Sequence, residues 1–379
     1  MAPERAPLAT LPCSKWGLGL ERPLLIAGPC SAESPEQVLG TAQGIVRSCP
    51  NVNVLRAGVW KPRTRPGTFE GAGAVALEWL AEAREATGLK VATEVATPEH
   101  VEASLKAGVD ILWIGARTTP NPFSVQAIAD SLRGVDIPVL VKNPINPDLE
   151  LWIGALERLF HAGINKLAAV HRGFSWSGPT PYRNQPMWEF PIRLKASYPE
   201  LEVLCDPSHI AGSTELIGRV CQQALDLNFS GLMIETHCDP PNAWSDRDQQ
   251  VLPEHLQRIV EGLVFPAASP SGLVRDVLEE LRDLIDQLDG DIMQKLATRM
   301  DIVERIGEYK RDHRVAILQP ERWEAIMEAQ YKLGTGLGAG KDFIEAFMNA
   351  IHQESIRRQT AVRNGMPVPP EGSRSDRQE

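Results

Sequence analysis

The chain has 379 residues, 43% hydrophobic and 23% charged, with a formal net charge of −10. That length can bury a large core, as one large domain or two to three smaller ones. The acidic balance disfavours nucleic acid as a partner, because such binding rests on neutralising phosphates, and no apolar run reaches the roughly 18 residues a membrane span needs.

The first 20 or so residues lack an apolar stretch behind a basic start, so no secretory signal is expected, and they are too few for a separate sensory domain. The six cysteines (13, 30, 49, 205, 221 and 238) form no CxxC pair. Reduced thiols in a cytoplasmic protein are the simpler expectation.

From residue 20 to 265 short apolar runs alternate with longer amphipathic ones. The runs are PLLIAGP (23–29), VNVLRAGV (52–59), KVATEV (90–95), DILWIGAR (110–117), PVLVKNP (138–144), KLAAVHRG (166–173), EVLCDPSH (202–209) and GLMIETH (231–237). Each is rich in Val, Ile and Leu without strict polar alternation, as in a strand covered on both faces. Helix-like stretches lie between them, such as DLELWIGALERLFHAG with Gly163 as a stop. Eight such units predict an α/β domain, a (β/α)8 TIM barrel over 1–265. A doubly wound sheet is the runner-up, but no GxGxxG turn follows the first run.

PAASPSG (266–272) reads as a linker. The pattern then becomes all-α. Apolar residues hold a helical period over 273–312, interrupted only by Gly290 and Gly307, and predict a helix about 60 Å long. A second helix starts after Pro320 and a third covers 341–362, giving a three-helix domain over 273–362. One helix this long suggests packing against a partner chain. The tail 363–379 is expected to be disordered.

In such a barrel chemistry sits where strands end. The runs here end in Cys30, Arg56 with Lys61, Glu94, Arg117, Lys142, His171 with Arg172, Asp206 with His209, and Glu235 with His237. The stretch LRAGVWKPRTRPG places Arg56, Lys61, Arg63 and Arg65 together with no carboxylate until Glu70. Its prolines stiffen a loop that presents Lys61, Arg63 and the Thr64 hydroxyl. Arg56, Lys61, Arg63, Arg117, Lys142 and Arg172 would suit one or two polyanionic substrates. Cys30, His209, Glu235 and Asp246 offer a thiolate, an imidazole and two carboxylates, a set suited to Mn, Fe, Co or Zn. A buried thiol and a capping histidine are the ordinary alternatives.

IAGPCSAE, LRAGVWKPRTRPGTFEG, WIGAR, VKNP, HRGFS, DPSH and IETHCDPPNAWSD, in this order, resemble 3-deoxy-D-arabino-heptulosonate 7-phosphate (DAHP) synthases, most closely the short type I-beta branch. The resemblance implies one divalent metal, Mn first and Co, Fe or Zn otherwise, on Cys30, His209, Glu235 and Asp246. It implies that Arg56, Lys61, Arg117, Lys142 and Arg172 hold phosphoenolpyruvate, while Arg63 and Thr64 contact erythrose 4-phosphate. KPRT separates this pattern from the related octulosonate synthases, which use arabinose 5-phosphate. Cys30 separates it from metal-independent relatives, which carry Asn there. Lys61 is placed to deliver a proton to the new alkoxide.

The helical segment carries a basic and amide set, Arg282, Arg299, Lys310, Arg322, Ser355 and Gln359. Arg299 and Lys310, close to three turns apart, share a face, as do Ser355 and Gln359 at i and i+4. LRDLIDQLDGDIMQKLATRM, GEYK, PERW and ESIRRQ resemble the all-helical chorismate mutases, which form intertwined homodimers. The resemblance implies that Arg282, Arg299 and Lys310 bind the substrate carboxylates, Arg282 reaching into the partner's site, and that Lys310 and Gln359 hydrogen-bond the ether oxygen. Gln319 and Trp323 depart from the family's Asp and Glu at the substrate hydroxyl, where Glu324 is available as a substitute. The implied protein makes DAHP and converts chorismate to prephenate, with feedback by prephenate or chorismate through the mutase domain. The alternative is a synthase whose helical domain only regulates and dimerises.

Overall fold

The structure, a computed structural model, describes residues 8–61, 67–266 and 272–365. The chain divides into two compact units that meet in sequence between residues 267 and 268. Most of the expected linker, and the expected tail beyond residue 365, lie outside the described residues.

The first unit is a closed barrel of eight parallel strands in sequence order. They are β1 (Leu24–Gly28), β2 (Val54–Arg56), β3 (Lys90–Val95), β4 (Ile111–Ile114), β5 (Val139–Lys142), β6 (Leu167–His171), β7 (Glu202–Cys205) and β8 (Gly231–Glu235). Each lies within one of the eight predicted runs. The helices of this unit are α1 (Pro35–Ser48), α2 (Ala76–Thr87), α3 (Pro98–Lys106), α4 (Pro122–Ser131), α5 (Leu149–His161), α6 (Glu189–Ser197), α7 (Pro207–Ala211), α8 (Thr214–Asp226) and α9 (Pro253–Glu261).

Strand side chains alternate between two cores. Ile26, Val54, Ile111, Trp113, Leu140, Val170 and Met233 fill the barrel, together with Cys13, Trp16 and Leu20 from the N-terminal segment. That segment closes the end where the strands begin: Cys13 N donates to Glu202 Oε1 at the start of β7, 3.0 Å away. The alternate residues pack outward under the helices. At the mouth β1 ends in Gly28, at φ +145°, where a Cβ would lie 2.1 Å from Arg56 O. Only glycine fits, and its absent side chain lets β1 and β2 end close together.

The second unit holds α10 (Gly272–Asp312), α11 (Pro320–Gly336) and α12 (Lys341–Arg363). At 41 residues α10 is about 60 Å long, as its period predicts. α12 packs on α10 and on α11. Met300, Val303, Ile344, Met348 and Ala361 are buried, while Leu281, Leu284, Ile285, Leu288 and Ile292 stay exposed along the first half of α10.

Candidate functional site

Four side chains converge at the barrel mouth. Glu235 is the last residue of β8 and Cys30 follows β1 by two residues. His209 stands on α7, started by Asp206 as N-cap and Pro207 at the first helical position. Asp246 sits in the loop after β8 at φ +48°. One ligand atom from each of Cys30, His209, Glu235 and Asp246 lies within 4.8 Å of all the others. A sulfur, an imidazole and two carboxylates so close fit a borderline divalent cation.

The charges explain why this arrangement is stable. Arg56 Nη1 donates to Glu235 Oε1 (3.1 Å) and Nη2 to the Cys30 carbonyl (2.9 Å), with the guanidinium 4.9 Å from the Trp113 ring centroid. Lys61 Nζ lies 2.5 Å from Cys30 Sγ and 3.3 Å from both Ser245 Oγ and Asp246 Oδ2. Lys142 Nζ donates to Asp206 Oδ2 at 2.6 Å, and His209 Nδ1 is 2.8 Å from the same oxygen. Burial opposes charge on Asp246, but Lys61, His209 and Arg183 outweigh it and hold the carboxyl well below its usual range. Burial likewise opposes charge on Glu235, and His209 and Arg56 outweigh it. Burial, with Glu235 next, pushes the Cys30 thiol well up, so an incoming cation must displace its proton.

Beside this cluster stands a group of cations. Arg172 is buried and donates to Asn184 Oδ1 at 2.8 Å. Burial and the nearby charges of Arg183 and Arg117 bring its guanidinium down to about 10. Such mutual repulsion suits a bound anion. Arg117 itself is exposed just beyond β4. Arg63 and Thr64 lie outside the described residues.

Two residues at the strand ends do not face the mouth. His171 points outward, because successive strand residues alternate and Arg172 takes the inner side. Its ring lies among Trp152, Phe174, Trp188 and Phe229, with centroids 5.1–6.3 Å away. His237 turns toward Glu33, with Nε2 3.5 Å from Oε2.

In the helical unit Arg299 Nη1 donates to Ser355 Oγ at 2.7 Å, joining α10 to α12. Gln359 is buried opposite Gly307, where an added Cβ would be 3.1 Å from Gln359 Cα. A side chain at 307 would push α12 away slightly at this contact. Lys310 Nζ donates to Ile317 O at 2.7 Å. Arg299 and Lys310 line separate grooves on α10, the first with Leu296 and Phe347, the second with Tyr309 and Gln319. Arg322 and Glu324 are exposed on α11, and Trp323 stacks on His352 with centroids 3.9 Å apart. Arg282 is not brought to the others: 17 residues of helix hold it about 25 Å from Arg299.

Sequence reasoning missed Arg183, Gln249 and Gln250 and gave Asp206 no role. Asp206 had a readable signal, the Asp-Pro helix start in DPSH. Arg183 lies in the β6–α6 loop away from any strand end, and its partner Asp246 belongs to another loop. The two amides carry no charge to mark them.

The family model described as DAHP synthetase I family matches residues 15–263, and that of chorismate mutase type II matches residues 281–360. A phospho-2-dehydro-3-deoxyheptonate aldolase of Thermotoga maritima is 33% identical over 237 residues, covering 62% of this chain and 68% of that protein. A 2-dehydro-3-deoxyphosphooctonate aldolase of Polaromonas naphthalenivorans is 28% identical over 275 residues, 66% of this chain and 92% of that protein. The crystal structure of the Thermotoga maritima DAHP synthase superposes with a TM-score of 0.56 at 28% identity, over 63% of this chain and 67% of that one. A truncated form of the Thermotoga synthase gives a TM-score of 0.54 at 26% identity, over 70% and 87%. The chain belongs to the DAHP synthetase I family and carries a chorismate mutase domain after its barrel, the architecture of a bifunctional shikimate-pathway enzyme.

Proposed function

We propose that the barrel condenses phosphoenolpyruvate with erythrose 4-phosphate to DAHP and phosphate, using one divalent ion, Mn first, and that the helical unit rearranges chorismate to prephenate. The observation that carries the synthase reading is the convergence of Cys30, His209, Glu235 and Asp246 beside Lys61 and the cations around Arg172. Those four residues would hold the ion, and Lewis acidity toward the aldehyde oxygen is what it supplies when bound.

The chain's own residues account for the rest. Arg172, Arg117 and Arg183 hold and orient the anionic groups of phosphoenolpyruvate, with Lys142 contributing charge from its pairing with Asp206. Carbon 3 of phosphoenolpyruvate attacks the aldehyde, water adds at carbon 2, and phosphate leaves. Lys61 is kept protonated: burial lowers its affinity for the proton, but the acidic groups around it, Asp246 and Glu235 among them, more than restore it. Its Nζ therefore carries a proton for the alkoxide. Arg63 and Thr64 contact erythrose 4-phosphate.

For the mutase, no acid, base or nucleophile is required. Arg299 and Lys310 bind the carboxylates, with Arg322 and Ser355 completing the site, and Lys310 and Gln359 donate to the ether oxygen as its bond breaks. The bare apolar row of α10 and the distance of Arg282 from Arg299 support a homodimer in which Arg282 serves the partner's site. Prephenate or chorismate bound there lowers the synthase rate. Two assays on one preparation test the assignment: consumption of phosphoenolpyruvate with erythrose 4-phosphate, and loss of chorismate. If chorismate is bound but not consumed, the helical unit is a regulatory and dimerising module only. If saturating prephenate leaves the synthase rate unchanged, the feedback reading fails.

A further inference from the structure

Two adjacent buried glutamines, Gln249 and Gln250, hold two of the four candidate ligands directly, Glu235 and Cys30, and a third, Asp246, through Arg183. Gln249 Nε2 donates to Glu235 Oε2 at 2.6 Å. Its Oε1 accepts from Arg183 Nη1 at 2.5 Å, and the same Nη1 donates to Asp246 Oδ1 at 3.1 Å. The second oxygens face the other way: Glu235 Oε1 toward Arg56, and Asp246 Oδ2 toward Cys30 Sγ at 3.1 Å. Gln250 Oε1 accepts from Cys30 N at 2.9 Å, and its Nε2 donates to the Ser245 carbonyl at 2.8 Å. Consecutive side chains both reach the site because the chain leaves a 3-10 turn at Gln249 and becomes extended at Gln250.

Residue type matters at 249. The group facing Glu235 must donate and the group facing Arg183 must accept, and one planar amide offers both. A carboxylate would repel Glu235, and a cation would repel Arg183. We infer that Gln249, acting with Arg183, is a positioning residue: it fixes Glu235 Oε2 and Asp246 Oδ1, so that Oε1 and Oδ2 are the oxygens turned toward the candidate ligand cluster. The two carboxylates are thereby held in one orientation each, and an incoming ion competes with Arg56 for Glu235 Oε1 and with Lys61 and the thiol for Asp246 Oδ2. The inference rests on the metal reading of Cys30, His209, Glu235 and Asp246.

The test is Mn²⁺ affinity, by titration of full-length, chelator-stripped protein followed by electron paramagnetic resonance, together with the visible spectrum of the Co²⁺-loaded protein. Gln249→Leu keeps the volume and removes both hydrogen bonds; Arg183→Met removes the clamp from the more exposed side and serves if the first variant does not fold. The expected result is Mn²⁺ affinity lower by about 10- to 100-fold and an altered Co²⁺ spectrum. Affinity within twofold of the parent with an unchanged Co²⁺ spectrum, in a variant with the parent's circular dichroism, overturns the inference while the metal reading stands. A parent that fails to bind Mn²⁺ overturns both.

Discussion

Arg56, at the end of β2, donates to Glu235, at the end of β8, across β1, and both side chains are buried. Each charge helps to make the other tolerable there. In chelator-treated protein, Arg56→Met should therefore cost about 3–5 kcal/mol of barrel stability by stranding the carboxylate. Adding Glu235→Gln should restore part of that loss. Urea unfolding of the single and double variants checks it, and a double variant no more stable than Arg56→Met would contradict the pairing.

Lys61 touches the thiol, Asp246 and Ser245 at once. Lys61→Met should still bind Mn²⁺ yet lose synthase turnover by at least about 10²-fold, the low end of what a placed proton donor contributes. Turnover near the parent's would remove Lys61 from the chemistry.

His171 gives a pH dependence with a defined sign. Burial in its aromatic box lowers its pKa from 6.5 to about 3. Above pH 6.5 the imidazole is neutral folded or unfolded. Between 6.5 and 3 only the unfolded chain takes up the proton, so stability falls as pH falls, by about 1.4 kcal/mol per pH unit. From pH 7 to pH 5 the parent should lose about 2 kcal/mol through this group. His171→Phe should lose correspondingly less, compared by urea midpoints at the two pH values.

The separation of Arg282 from Arg299 predicts complementation. Arg282→Ala and Lys310→Ala should each be nearly inactive as mutases. Unfolded and refolded together, they should recover roughly a quarter of the parent's activity if the proposed homodimer forms, because half of the dimers would then be mixed, each with one intact site. No recovery would mean that each chain builds its own site.

The barrel was legible because doubly covered parallel strands leave continuous apolar runs, and each of the eight contains a strand. The candidate ligands were legible because chemistry collects at strand ends, where Cys30 and Glu235 stand. What period-2 alternation would have settled is His171, which shares a run with Arg172 but faces the opposite way. Gln249 was not legible at all: its role depends on Glu235 in a strand and Arg183 in a distant loop, and an uncharged amide announces neither. The helical site was legible in part. Residue spacing places Arg282 far from Arg299, but the contact of Gln359 with Gly307 comes only from packing α12 on α10.

The most direct measurement is phosphate release by chelator-stripped protein given phosphoenolpyruvate with either erythrose 4-phosphate or arabinose 5-phosphate, with and without Mn²⁺. The account predicts release with the four-carbon sugar, only when Mn²⁺ is present. Release with arabinose 5-phosphate would contradict the substrate assignment, and release from the stripped protein without metal would contradict the role given to Cys30, His209, Glu235 and Asp246.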